Sequence, residues 1–189
     1  MYRFFCFLYI RNKSIFIMKK ILALFGFLFF AFTSCAQDHK TVEVEEISTY
    51  YLIRHAEKDR SNSSNRNPDL SEIGVERAKK WSEVMSHIDF DAVYSTKYNR
   101  TMQTATPTAE RNNLDIQSYD PRKMYDAKFQ KATKGQTVLI VGHSNTTPFF
   151  VNKILKEEKF DAMEDDNNSN LYIVTVTKDS RTCVVLKID

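Results

Sequence analysis

Short apolar runs alternate with amphipathic segments at helical spacing through most of this chain, and that alternation predicts a layered α/β domain. Residues 49–53 (TYYLI) are rich in aromatic and β-branched side chains and read as a strand. Residues 70–88 follow helical spacing, with Ser71 placed as the N-cap. Residues 91–95 (DAVYS) read as a second strand. Residues 98–112 are helical, and Pro107 is expected to interrupt or bend that helix because it lacks a backbone donor. A weak strand at 116–119 and a helix at 124–133 follow. Residues 137–141 (TVLIV) are apolar throughout and lie between Gly135 and Gly142, as a strand buried in the sheet would. A helix over 148–157 and a closing pair of strands over 171–177 and 182–188 complete the pattern. The expected fold class is α/β, a three-layer α/β/α sandwich with a mostly parallel central sheet.

In open sheets of this kind, ligands bind beyond the carboxyl ends of the strands. Three polar clusters fall at such ends: Arg54-His55 after the first strand, residues 95–100 after the second, and His143-Ser144-Asn145 after the TVLIV strand. The run 61–67 (SNSSNRN) reads as a solvated loop near the first cluster. Lys58 and Asn62 beside it read as solvated surface.

The first 34 residues differ from the rest. They hold Arg3, Arg11, Lys13, Lys19 and Lys20 and no acidic residue. Lys19 and Lys20 precede an apolar run ending Phe32-Thr33-Ser34-Cys35, which has the layout of a secretory signal. The run is short for a membrane-spanning helix. Its end resembles a bacterial lipobox, with Cys35 the residue that would receive lipid and Phe32 standing where Leu is usual. The organisation expected is a signal or lipoprotein leader over 1–35, a polar tether over 36–48 and one domain over 49–189. Residues 1–17 are read as an upstream extension of the gene, with Met18 as the start. The implied location is exported, as a periplasm-facing or surface lipoprotein, with the outer membrane favoured. Without the leader the basic residues fall from 27 to about 22 against 24 acidic ones, so the chain's net charge of +3 gives no case for nucleic-acid binding. Cys183 is the one cysteine outside the leader, so no internal disulfide is expected, and it reads as a packed strand residue rather than a nucleophile.

The clusters suggest phosphoryl chemistry. A neutral imidazole is a good nucleophile toward phosphorus when one ring nitrogen is fixed as a donor and the other stays free. Arginines nearby disfavour the protonated ring and bind phosphate oxygens bidentately. Guanidinium groups and a second histidine then stabilise the charge on the transferring group.

At these residues the sequence resembles the histidine phosphatase superfamily, the phosphoglycerate-mutase-like family. Leu52-Ile53-Arg54-His55-Ala56-Glu57-Lys58 looks like its RHG signature with Ala for Gly. Leu70-Ser71-Glu72-Ile73-Gly74-Val75-Glu76-Arg77-Ala78 resembles its helix start. Residues 94–105, including Ser95, Arg100 and Gln103-Thr104-Ala105, are similar to its S-x-x-x-R-x-x-Q-T-A stretch, and Val141-Gly142-His143 to its GH motif. The resemblance implies a metal-independent phosphomonoester hydrolase without a cofactor, acting through phosphohistidine on His55. Arg54, Arg100 and His143 would form the phosphate pocket, with Ser144 and Asn145 at its border. Larger members carry their proton-donating Glu in an insert that residues 112–136 are too short to hold. Asp120 and Glu57 are the candidate donors in its place, with Asp126 behind them. The compact form is similar to the phosphohistidine-phosphatase branch and implies an open site.

Three other readings stand beside this one. A phosphatase-like module could bind a phosphorylated ligand without turnover, and a phosphoglycerate-mutase-type transfer would use the same pocket. A serine hydrolase would use Ser144, but its G-x-S-x-G turn lacks the last glycine, replaced by Thr146. The histidines show no metal-ligand spacing, and the acidic run 161–166 reads as a solvated loop. The partners expected are a phosphorylated small molecule or phosphoprotein and, through the anchor, a membrane. Neither the substrate nor the oligomeric state is legible.

Overall fold

The computed structural model describes residues 46–189. The leader, Cys35 and the tether through residue 45 lie outside the described residues. In chain order the elements are β1 (Ser48–Arg54), α1 (Glu72–Val84), β2 (Ala92–Ser95), α2 (Asn99–Arg111), β3 (Ile116–Ser118), α3 (Ala127–Ala132), β4 (Thr137–Gly142), α4 (Thr146–Leu155), β5 (Asn170–Val176) and β6 (Arg181–Lys187). They build one sheet of order β3-β2-β4-β1-β5-β6. The first four strands run parallel, and β5 and β6 close the sheet as antiparallel neighbours.

Strand alternation divides the core in two. Tyr50 and Leu52 of β1, Tyr94 of β2, Val138 and Ile140 of β4 and Tyr172 of β5 pack with Phe129 of α3 and Phe150 and Ile154 of α4. Ile53, Val93, Leu139, Val141 and Leu171 face the other way, against Trp81 of α1 and Ala105 and Ala109 of α2. This is the expected three-layer sandwich, with the central strands buried on both faces and β3 and β6 exposed at the edges. Each fully buried aliphatic side chain contributes about 1.5–3 kcal/mol through burial.

Two glycines are required by close approach. A Cβ on Gly74 would collide with the Glu57 carbonyl oxygen, so the first turn of α1 docks backbone to backbone against the segment leaving β1. Ser71 holds the same junction. Its hydroxyl oxygen accepts from Gly74 N at 3.2 Å, and its own N–H donates to Glu57 O at 2.9 Å. At the end of β4, a Cβ on Gly142 would meet the Thr147 and Thr146 hydroxyls and the Tyr119 phenol at 2.8–2.9 Å.

Several boundaries depart from the periodic pattern for local reasons. The helix expected over 124–133 begins only at Ala127, because Tyr125 has φ 54° and Asp126 then caps the helix by accepting from Phe129 N at 2.8 Å. The helix expected over 148–157 begins earlier, at Thr146, and stops before Lys156, whose φ is 59°. Pro107 does not end α2, which runs on to Arg111; Ser82 of α1 donates to the Pro107 carbonyl at 3.0 Å and ties the two helices together. The apolar run 183–186 forms an edge strand, with Val184 57% exposed and Cys183 half-buried. Burial pushes the Cys183 thiol up to about 11, which suits a packed residue rather than a nucleophile.

Candidate active site

Parallel pairing of β1 with β4 matches Ile53 to Val141 and Arg54 to Gly142. One residue further, at the carboxyl ends of both strands, His55 and His143 come side by side with ring centroids 5.4 Å apart. The neighbouring strand β2 delivers Thr96 and, through the start of α2, Arg100.

His55 is 4% exposed. Its Nδ1 lies 2.7 Å from the Ala56 carbonyl, which can only accept, so Nδ1 carries the proton and Nε2 keeps a free lone pair. Its backbone is held from three directions. His55 N donates to Gly142 O at 2.9 Å, Asn168 Nδ2 donates to His55 O at 2.7 Å, and the next amide, Ala56 N, donates to Thr104 Oγ1 at 2.9 Å. Ala56 has its methyl group packed against Leu70 and Ala78, so the position tolerates a Cβ. Burial lowers the His55 pKa to about 3; the Ala56 hydrogen bond opposes this, and the charges of Arg54 and Arg100 reinforce it. The ring is therefore neutral at physiological pH.

His143 takes the other tautomer. Arg100 Nη2, which can only donate, lies 3.4 Å from His143 Nδ1. Nε2 then carries the proton and donates to Thr96 Oγ1 at 2.9 Å. The Thr96 hydroxyl then donates to Thr101 Oγ1 at 2.9 Å, and Thr101 donates to the Tyr98 carbonyl at 2.8 Å. Burial, followed by the charges of Arg100, Arg54 and Lys58, lowers the His143 pKa to about 4.

The two arginines are held at one end and unsatisfied at the other. Arg54 is 3% exposed. Its Nη1 donates to the carbonyls of Glu164 at 2.8 Å and Asn167 at 3.1 Å, and its Nη2 to Asp165 Oδ1 at 3.1 Å. Its Nε is buried with no partner among the described residues, as are Nε and Nη1 of Arg100. Arg100 is positioned over the Tyr98 ring, 4.5 Å from the centroid. Buried N–H groups without partners cost roughly 1–3 kcal/mol each, so these three are donors available to an anion. A cavity of about 560 Å³ opens here, bordered by Arg54, His55, Arg100, His143, Ser144 and Asn145.

Six of the residues expected from the sequence thus meet in one place. Asn145 spends its side chain on the start of α4, accepting from Thr146 N at 2.8 Å, and Ser144 is fixed through its carbonyl, which accepts from Met163 N at 2.8 Å. The expected proton donors fare differently. Asp120 is turned to Arg122, which donates to both of its carboxylate oxygens at 3.0 and 3.1 Å. The Arg122 contacts hold its pKa below the usual carboxylate value, and it borders neither cavity at the site. That geometry does not suit a donor. Glu57 borders an adjoining cavity of about 570 Å³, but its Oε1 is bound to Arg77 Nε at 2.7 Å. Asp126 is the cap of α3.

The acidic run 161–166 is not a bare solvated loop, as read from sequence. Asp165 bridges Arg54 and Arg60, at 3.1 and 2.7 Å. Its burial raises the carboxyl pKa, and the hydrogen bonds from Arg60 and Arg54 more than reverse this. Asp165 and Asn168 carry no sequence signal. Thr96 stands inside the stretch that points to Arg100, and its position there is the signal that could find it. Among the described residues, no group of three or more His, Cys, Asp or Glu side chains is placed to hold a metal ion.

A strand-end histidine with a free Nε2, set among two arginines and a second histidine on an α/β sandwich, defines a site for transferring or holding a phosphoryl group. Residues 50–121 match the model of the histidine phosphatase superfamily (branch 1). Over 70 residues the chain is 39% identical to phosphoserine phosphatase 1 of Hydrogenobacter thermophilus, a match covering 34% of this chain and 33% of that protein. The chain thus spans about a third of the length of the curated relative it matches. Its fold is similar to that of a protein assigned as the phosphohistidine phosphatase SixA of Agrobacterium tumefaciens, at 21% identity and TM-score 0.55, over 74% of this chain and 97% of the other. It is also similar to a mycobacterial glucosyl-3-phosphoglycerate phosphatase solved with vanadate, at 14% identity and TM-score 0.60, over 75% and 100% of the two chains. The matched segment, residues 50–121, carries Arg54, His55 and Arg100, and the solved structures share the fold.

Proposed function

We propose that the protein is a phosphatase that hydrolyses phosphomonoesters through a phosphohistidine on His55. The observation that carries this reading is the set of unpartnered guanidinium N–H groups on Arg54 and Arg100 beside an imidazole whose Nε2 is free. A phosphate dianion in the cavity would satisfy those donors. The Nε2 lone pair attacks phosphorus, the bond to the leaving oxygen breaks, and that oxygen keeps the electron pair and takes a proton. Water then attacks the phosphohistidine, the P–N bond breaks, and Nε2 regains its lone pair as phosphate departs. Arg54 and Arg100 meet the charge on the equatorial oxygens, so the scheme asks for no metal ion. His143 borders the same cavity, beside Arg100.

Asp120 is held by Arg122, and Glu57 is ion-paired to Arg77 through Oε1, with Oε2 left unpartnered among the described residues. Since an adjacent guanidinium favours the ionised carboxylate, the scheme takes the leaving-group proton from solvent. That favours phosphate on a good leaving group or on a protein side chain, and it disfavours a mutase, which must shield its intermediate from water in a closed site. The same observation favours a second reading, a module that binds a phosphorylated ligand without turning it over. Hydrolysis of para-nitrophenyl phosphate decides between them, since nitrophenolate leaves without an acid. Turnover that resists EDTA and disappears in His55→Ala supports the phosphatase; vanadate binding without turnover supports the module. We further propose export and lipid anchoring at Cys35. Loss of the protein from the membrane fraction in Cys35→Ala would support this, and unchanged fractionation would refute it.

A further inference from the structure

Lys58 is half-buried, and its backbone is fixed rather than free. It forms an antiparallel bridge with Leu70, and the next amide, Asp59 N, donates to Asp69 O at 2.8 Å. Its side chain borders both cavities that meet at His55. Arg54 and Arg60 are paired with Asp165, and Glu57 with Arg77, while Arg100 faces the phosphoryl pocket. Lys58 has no ion-pair partner among the described residues. Its charge also reaches the site, since it disfavours protonation of His143.

The transferred phosphoryl group already has its donors in Arg54 and Arg100. In-line displacement requires the leaving oxygen to face away from His55 Nε2, and Lys58 borders both cavities in which the leaving half can lie. We propose that Lys58 selects the substrate: its ammonium receives a second anionic group, a carboxylate or a second phosphate, carried on the leaving half of the phosphomonoester. This rests on the phosphatase reading and narrows it to phosphomonoesters with a second negative charge. Glu164 and Asp166 stand exposed at the outer rim of the same opening, where solvent screens them.

Three substrates of one geometry test it: phenyl phosphate, 3-carboxyphenyl phosphate and 1,3-phenylene bisphosphate. The protein should show a kcat/KM about tenfold or more higher on one or both anionic substrates, the scale of a charge-assisted hydrogen bond. Which of the two is preferred separates carboxylate from phosphate. Lys58→Met should erase the preference and leave phenyl phosphate within about twofold. Lys58→Arg should keep it. No preference in the unaltered protein, or an equal loss on all three substrates in Lys58→Met, overturns the proposal. If para-nitrophenyl phosphate and phenyl phosphate are both left unhydrolysed, the phosphatase reading fails instead. Calorimetric titration of the same compounds then decides for Lys58, and equal affinities with and without the second charge would refute it.

Discussion

Burying two neutral histidines beside two arginines should make the fold sensitive to mild acid in a defined window. The folded-state pKa of His55 is about 3, against about 6.5 in the unfolded chain. Between these values the unfolded chain binds a proton that the native state refuses, so stability rises with pH across the window and falls as pH drops below about 6.5. At pH 5 the gap of about 1.5 units from the unfolded value corresponds to about 2 kcal/mol lost through His55 alone. His143, at about 4 and more exposed, adds a smaller amount because solvent screens its partners. Carboxylates with lowered values, such as Asp165, act in the same sense but only near and below pH 4, where their unfolded forms take up protons. The window from pH 7.5 to 5 therefore isolates the histidines. Urea denaturation at pH 7.5, 6 and 5 should show the unaltered protein losing about 2 kcal/mol more than His55→Asn over that range, against a total stability of about 5–15 kcal/mol for a domain of this size. Parallel losses in the two proteins would show that His55 titrates normally in the folded state and would refute the electrostatic account of the site.

Other consequences follow from individual contacts. Gly74→Ala places a Cβ against the Glu57 carbonyl, a clash between backbones that cannot be relieved by a side-chain rotation; it should cost about 2–4 kcal/mol in urea denaturation, and a change under about 0.5 kcal/mol would contradict the close approach. Arg100→Lys keeps the charge and loses the planar fork, so vanadate inhibition should weaken by about tenfold to a hundredfold. An unchanged inhibition constant would remove Arg100 from the anion site. Asn168→Ala leaves the buried His55 carbonyl without its donor and should lower stability by about 1–3 kcal/mol, with the loss visible as a reduced denaturation midpoint.

The strands were legible because their side chains alternate between two buried faces. Leu52 and Ile53 point to opposite layers, as do Leu139 and Ile140, and a run of apolar residues between two glycines allows little else. His55 and His143 were legible for a related reason: each follows a parallel strand, and the pairing register brings strand ends together without help from any loop. What failed to show lies in segments with no period. Asp165 reaches Arg54 across 111 positions in the chain, and Asn168 reaches His55 across 113, contacts that only the finished fold defines. Asp120 lay in the right interval for a donor, but Arg122 two residues on captures its carboxylate, a local contact that composition does not rank against a distant one. The helix expected from residue 124 lost its first turn to the left-handed backbone of Tyr125, an unusual conformation for a bulky residue that periodicity does not report.

The central claim is that phosphate passes through Nε2 of His55. The most direct test is to mix the protein with a phosphomonoester such as para-nitrophenyl phosphate, quench with alkali within milliseconds, and locate the added mass by peptide mass spectrometry. The account predicts a phosphate on His55 that survives base, is lost in acid and is absent from His55→Asn. Turnover with no phosphorylated His55, or phosphate carried on another residue, would contradict it.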